Sequence, residues 1–331
     1  MMKKQSCRLV KLFLLMTFAL LLITACHQTF TQRPDISLKP SAECRIIQHD
    51  FGETCVPLKP QRIVTLSPEN NLDALIALGI KPVGYTSYDI LNKGKQSLFG
   101  ASLDAVAGAE YVGNVYQPSF EKILLLKPDL ILLSLDAHLY ESLSAIAPTV
   151  SVPSPFSDLI STDQAFFKQN LRYIAKLLNQ ESRSEEILKE YEERINQLRE
   201  KLGRQLQQLE IAVIFYGEDV IYTINNQMNS LIPSIFNDIG LRYKFLSSDR
   251  NLMKPPLSIE TIREYDADIL FIINIAERPS SFYFQHPIFR NLKAIKNNRA
   301  YVVNQEVWSA AGILGANKVL DDLFKYLPEG T

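Results

Sequence analysis

Four histidines, four cysteines and one tryptophan in 331 residues leave little material for metal or redox chemistry. His27, His49, His138 and His286 are scattered along the chain. The nearest approach to a ligand pair, His138 with Glu141 on one helical turn, offers two groups where a zinc site needs four. No glycine-rich loop ending in Lys-Ser/Thr is present, so the cradle for nucleotide phosphates is missing. Missing too are the G-x-G-x-x-G turn of dinucleotide-binding units and the G-x-S-x-G elbow that exposes a nucleophilic serine. Nor is there a basic excess: 35 Lys and Arg stand against 36 Asp and Glu, which gives no footprint for nucleic acid. These absences leave catalysis without a constellation and imply no cofactor and no resident metal.

What is present begins with a targeting segment over residues 1–25. Lys3, Lys4, Arg8 and Lys11 form its basic start, Leu12 to Leu22 its apolar run, and Ile23-Thr24-Ala25-Cys26 its end. Its removal takes away four bases and no acid, moving the formal net charge from −1 to −5. A small residue before a cysteine at this point is similar to a bacterial lipobox, whose cysteine is diacylated and becomes the new N-terminus. An ordinary secretory signal and an uncleaved anchor are the alternatives. Two or three acyl chains on Cys26 would hold the protein stably at a bilayer. Residues 26–43 are polar and without period, and read as a tether. Cys44 and Cys55 then flank two β-prone arms around Asp50-Phe51-Gly52, a hairpin pattern. A disulfide across its base suits an oxidising compartment; Cys44, His49 and Cys55 as metal ligands lack a fourth member.

From Arg62 the pattern is βα. Residues 62–66, 81–86, 130–133 and 149–152 read as strands, and 72–78 as a helix closed by Gly79. The alternation restarts at 211–215, 221–224, 269–273 and 300–303. Such a pattern predicts an α/β fold with doubly wound, mostly parallel sheets. The two halves also share a motif. Ser119-Phe120-Glu121-Lys122-Ile123 leads through five residues to Asp129 and a strand; Ser258-Ile259-Glu260-Thr261-Ile262 leads through five to Asp268 and a strand. Leu78-Gly79-Ile80 and Ile239-Gly240-Leu241 match more loosely. A repeat this long means two similar lobes rather than a solenoid. The serines would cap helix starts and the glutamates would complement the helix dipole, which accounts for the motif without any function.

Between the halves, residues 181–209 place Leu188, Tyr191, Ile195, Leu198, Leu202 and Leu209 on one helical stripe opposite a charged face. This predicts a long helix, read as a strut joining two lobes or, alternatively, as half of a dimeric coiled coil. Ligands of open α/β sheets sit beyond the carboxyl ends of the strands. There the first half offers Ser67, Tyr85, Ser87, Tyr88, Asn114, Tyr116, Gln117 and Phe156. The second offers Tyr216, Asn225, Asn226, Arg278, Tyr283 and Trp308. Rings, amides and a guanidinium suit a sizeable, partly apolar ligand with oxygen-rich or anionic edges.

From Gln61 to Leu327 the chain resembles the lipoprotein substrate-binding components of bacterial ABC importers for ferric siderophores, cobalamin and haem, in which one long helix joins two lobes. The resemblance rests on Arg62 to Pro68 with Leu78 to Gly84, on Glu121-Lys122-Ile123 through Lys127-Pro128-Asp129-Leu130-Ile131, on His286-Pro287-Ile288-Phe289 and on Leu292 to Val303. The hairpin leading into Lys59-Pro60-Gln61-Arg62 is similar to the iron-siderophore branch. This implies a signal over 1–25, a tether over 26–43, an N-terminal lobe over 44–160, connecting helices over 161–209 and a C-terminal lobe over 210–331. It also implies a monomeric, lipid-anchored periplasmic receptor for an Fe(III)-siderophore complex. That receptor would deliver its cargo to an ABC permease dimer by docking Glu121 and Glu260 against arginines. The same role for cobalamin or haem, and a chelatase or reductase on the same fold, are the alternatives. The expected ligand residues are Ser67, Tyr85, Tyr88, Asn114, Tyr116, Tyr216, Asn226, Arg278 and Trp308.

Overall fold

Alternation along the strands decides how the layers stack. In β9 (Glu210–Tyr216) Ile211 and Val213 face one core, whereas Ala212, Ile214 and Tyr216 face another. In β12 (Ile269–Asn274) Ile269, Phe271 and Ile273 divide from Leu270 and Ile272 in the same way. Strands β3 (Ile63–Thr65) and β7 (Leu130–Ser134) repeat the pattern. A strand buried on both sides is apolar at every position, as expected of a parallel sheet covered by helices on each face. The structure is a computed structural model and describes residues 44–89, 94–134, 136–154, 160, 164–217, 221–223, 230–244 and 259–330, with the side chains of 259 and 260 excepted. The leader, the tether and Cys26 lie outside the described residues.

Two sheets carry the fold, besides the hairpin of β1 (Cys44–His49) and β2 (Gly52–Pro57). Completing the first sheet are β4 (Gly84–Ser87), β5 (Glu110–Asn114), β6 (Gln117–Pro118) and β8 (Thr149–Val152), in the order β6-β5-β4-β3-β7-β8. The second adds β10 (Ile221–Thr223), β11 (Arg242–Lys244) and β13 (Ala300–Val303), in the order β10-β9-β12-β13 with β11 also on β9. The shared plan is four parallel strands, β4-β3-β7-β8 and β11-β9-β12-β13. β5, β6 and β11 were not expected from the sequence; they are short, and β11 reads Arg-Tyr-Lys on an edge.

The helices are α1 (Asp73–Ala77), α2 (Phe120–Leu125), α3 (Ala137–Ser144), α4 (Phe166–Leu178), α5 (Glu181–Leu202), α6 (Leu231–Ile239), α7 (Ser280–Gln285), α8 (Lys293–Lys296), α9 (Gln305–Trp308) and α10 (Ile313–Tyr326). The repeated motif has a structural counterpart. Asp129 accepts from the Gln61 and Arg62 amides at 2.7 and 2.8 Å, while its own amide donates to Arg62 O at 3.0 Å. Asp268 accepts from the Glu210 amide and donates to Glu210 O, both at 3.0 Å. Each aspartate therefore pins the start of its sheet's first strand. Gly79 and Gly240 close α1 and α6 in the left-handed region, at φ 78° and 85°, and the next residue's amide bonds back five residues at 2.9 Å in both.

Helix α5 runs 22 residues, about 33 Å, and stops at Leu202 rather than Leu209. Gly203 takes φ 49°, and Gly203–Gln207 tightens into a 3₁₀ turn. Leu188, Tyr191, Ile195, Leu198 and Leu202 are all 4% exposed or less, packed against α4, α6 and α10. That stripe is covered within the chain, so the coiled-coil reading loses its seam. Tyr191 reinforces the packing through its hydroxyl, which donates to Asp238 Oδ2 at 2.7 Å.

A second connection was not foreseen. Asp73, wholly buried on α1, accepts from the amides of Leu314 (2.9 Å) and Gly315 (3.2 Å) at the start of α10. It caps a helix whose own N-cap, Gly312, has no side chain to do so. Burial pushes its pKa up to about 7, against the pull of those amides and of Lys318. Lys318 in turn donates to Gly100 O at 2.6 Å. A Cβ at Gly312 would stand 2.1 Å from Asp73 Cγ, so the clasp closes only on glycine. Helix α10 packs on α1, α4, α5, α6 and α9, tying the helices of both sheets together.

Candidate functional site

At the carboxyl end of β3 the chain enters a π turn, Pro68–Leu72, closed by the Leu72 amide on Ser67 O at 3.0 Å. Such turns are rare and tend to mark sites of function. This one sets Glu69, Asn70 and Asn71 side by side above the sheet. Glu69 Oε1 accepts from the Tyr88 hydroxyl at 3.0 Å and from Asn70 Nδ2 at 3.3 Å. Asn70 O accepts from Asn170 Nδ2 at 3.1 Å, and Asn71 Nδ2 donates to Ser134 Oγ at 3.3 Å at the end of β7. Burial pushes the Glu69 carboxyl above its usual range, opposed by its own backbone and by the Tyr88 and Ser67 hydroxyls. Burial also raises the Tyr88 phenol, and the Glu69 charge adds to it, so the phenol stays a donor.

Beyond β4 and β5 the same rim continues. The Tyr88 ring lies 5.2 Å from Phe99 and 6.1 Å from Tyr116, which is 63% exposed. Tyr111 and Asn114 both donate to Asp89, and Asn114 Oδ1 accepts from the Tyr116 amide at 3.0 Å. The second sheet ends differently. Asn274, closing β12, accepts from the Tyr283 hydroxyl at 2.6 Å and from the Arg278 amide at 3.0 Å. Glu277 takes the left-handed conformation, φ 51°, and the exposed Arg278 guanidinium stands 5.7 Å from the Phe282 ring. Behind it Tyr216 meets Phe282, Tyr283 and Phe289 edge-on at 5.1 to 5.9 Å. Burial raises the phenols of both Tyr216 and Tyr283, the latter to about 12, with Arg278 pulling the other way.

A cavity of about 310 Å³ lies between the segment after β4 and the segment after β13. Gln96, Leu98, Gly100, Ser102, Leu103 and Asp104 form one wall; Asn304, Glu306, Val307 and Lys318 form the other. Its volume is at the lower end for a small-molecule site.

The structure separates the expected ligand residues into three groups. Tyr88 and Tyr116 share the rim of the first sheet with Asn114, itself only 8% exposed, and Arg278 stands exposed at the end of the second. Ser67, Tyr85, Tyr216 and Trp308 are buried, at 3%, 6%, 9% and 1% exposure. Trp308 corrects the expectation most sharply. Helix α9 turns it back under the sheet, its indole donates to Asp322 Oδ2 at 2.8 Å, and its ring packs on Phe271 at 4.6 Å. It is a core residue and not a cleft wall. Tyr85 likewise packs within the first sheet's core while its hydroxyl donates to Gln96 at 2.8 Å. Asn226, with Asn225 and Phe156, lies outside the described residues, as does the Glu260 side chain. Glu121 is exposed in the first turn of α2, whose cap is Ser119 accepting from Lys122 N at 3.3 Å. In the hairpin Cys44 and Cys55 are disulfide-bonded, with Cα atoms 5.6 Å apart. Glu69 and Asp89 are the site residues that sequence reasoning missed. A Glu-Asn-Asn run directly after a strand was the available signal.

A family model described as periplasmic binding protein matches residues 63–307. The achromobactin-binding periplasmic protein of Dickeya dadantii (strain 3937) is 31% identical over 288 residues, covering 80% of this chain and 85% of that one. The Fe(3+)-citrate-binding protein YfmC of Bacillus subtilis (strain 168) is 29% identical over 332 residues, 98% of each. Among solved structures, Staphylococcus aureus SirA complexed with staphyloferrin B matches with a TM-score of 0.65 at 25% identity, over 86% of this chain and 98% of that one.

Proposed function

The chain belongs to the periplasmic binding protein family, and on that premise we propose that it captures a ferric siderophore complex between its two sheets and delivers it to an ABC importer. It is a binding protein and not an enzyme. The relatives named above bind achromobactin, ferric citrate and staphyloferrin B. The observation that carries the reading is the pair of parallel sheets whose carboxyl ends bear tyrosines and acceptor oxygens on one side and an exposed arginine on the other. That pairing suits a chelate with apolar arms and polar edges.

The finer parts of the reading are these. Cys26 carries the lipid that anchors the protein, on the periplasmic side, to the cell membrane. Residues 26–43 are the tether, 44–160 and 210–331 the two lobes, and 161–209 the helices between them. The cargo is seated by Tyr88, Asn114, Tyr116, Asn226 and Arg278, and the receptor works as a single copy. Glu121 and Glu260 present one carboxylate from each half to a permease dimer, a charge pairing that favours rapid, oriented encounter. Titration of the full chain in mild detergent with ferric hydroxamates, catecholates and citrate, followed by calorimetry, tests the reading. At least one class should bind at micromolar concentration or below; heat from none of them would overturn it.

A further inference from the structure

Some oxygens above the first sheet are only partly satisfied. Glu69, Asn70 and Asn71 follow one another on the π turn, and each keeps one side-chain oxygen sealed from solvent with no hydrogen-bond partner among the described residues. Asn71 is 0% exposed, while Glu69 and Asn70 each keep an edge open to solvent. Buried polar atoms are nearly always satisfied, so three unmet acceptors on consecutive residues require an explanation. Each amide nitrogen spends one of its two N–H groups within the fold, Asn70 Nδ2 on Glu69 and Asn71 Nδ2 on Ser134. The turn can therefore accept further hydrogen bonds, and the Glu69 carboxylate is its one ionisable group.

Around it stand aromatic faces. The Tyr88 hydroxyl is engaged by Glu69, which leaves its ring, with Phe99 on one side and the exposed Tyr116 on the other. No Lys or Arg among the described residues forms an ion pair with Glu69. A carboxylate beside tyrosine rings, with unmet acceptors and no cation, has the chemistry that recognises an ammonium group.

We infer that the rim formed by Glu69, Asn70, Asn71, Tyr88 and Tyr116 is a cation subsite that receives a protonated amine on the periphery of the chelate. The oxygen-rich iron centre then lies towards Arg278 at the end of the other sheet. This selects a ferric hydroxamate with a free ammonium over a polycarboxylate chelate, which brings no donor and adds repulsion against Glu69. The raised carboxyl of Glu69 agrees, because burial acts on it with no neighbouring positive charge to oppose it. The inference rests on the transport reading above.

The test uses the full chain in mild detergent and three probes: the ferric complex of desferrioxamine B, which has one free primary ammonium, its N-acetylated form, and ferric citrate. The ammonium-bearing complex should bind at least tenfold more tightly than the acetylated one, and that difference should collapse in Glu69→Gln. Acetylation leaves the protein untouched, so a folding defect in the variant cannot hide the first result. Equal affinity for the two hydroxamates, a difference that survives in Glu69→Gln, or tighter binding of ferric citrate than of both would overturn this inference alone. Binding of no ferric chelate of any class would overturn the transport reading together with it.

Discussion

The two sheets are built alike and finished differently. Both contain four parallel strands wired in one order, β4-β3-β7-β8 and β11-β9-β12-β13, both pin the first strand with an aspartate, and both close a helix on a left-handed glycine. At the carboxyl ends the likeness stops. The first sheet ends in acceptors, Glu69, Asn70, Asn71 and Asp89, whereas the second ends in the Tyr216–Tyr283 aromatic cluster with Arg278 outside it. The repeat thus keeps the parts that hold strands in register. It has left free the parts that face a ligand, where each sheet can carry its own charge without disturbing the pairing beneath.

The largest way to break the comparison is through the Asp73 clasp, which among the described residues has no counterpart in the second sheet. Gly312→Ala should drive a methyl into Asp73 and lower stability by about 3 kcal/mol in chemical denaturation, a loss typical of a broken buried network. An effect below about 1 kcal/mol would mean that α10 shifts freely, and that the clasp is not needed. The same carboxyl has a pH signature. Its folded pKa, about 7, is above the unfolded one, so its stabilising contribution is full below about pH 4 and is lost as the pH rises through 7. Melting of the native chain and of Asp73→Asn across pH 4 to 8 should show the native advantage shrinking upward; a constant or growing gap contradicts this. Next come the strand pins. Asp129→Ala and Asp268→Ala each strand backbone amides and should cost roughly 1–2 kcal/mol. If one is costly and the other neutral by the same denaturation assay, the sheets are less equivalent than their wiring suggests. Last, Glu121→Ala with Glu260→Ala should cut uptake of a ferric chelate by cells about tenfold with affinity unchanged, a coupling of the size charge pairs reach at interfaces. Weakened binding to the purified chain would instead place one of them at the cargo.

How far the residues themselves disclosed this depends on the distance over which each feature is determined. Strands such as 149–152 and 300–303 are legible because apolar runs bounded by proline or a turn are local signals. The long helix was legible in existence but not in extent, since Leu209 falls in phase with the stripe although Gly203 has already turned the chain. The repeat was legible from Ser-x-Glu-x-Ile and its aspartate, and its physical reason is the strand pin. Trp308 was misread because rarity is not exposure: nothing local says that α9 folds the indole back onto Phe271. Glu69 went unnoticed, and only the π turn with Tyr88 beside it gives it a role. Asp73 could not be read at all, its partners lying 241 and 242 residues away.

That last separation bears on how the polypeptide matures. The earliest helix of the first sheet buries an acid whose partners emerge 241 and 242 residues later, so its burial cannot be completed as the chain is threaded out segment by segment. Until residues 314 and 315 arrive, the first half must stay loose or leave that carboxyl in water. Contacts of such long span slow folding, and they make the tail of this chain the step that commits its head.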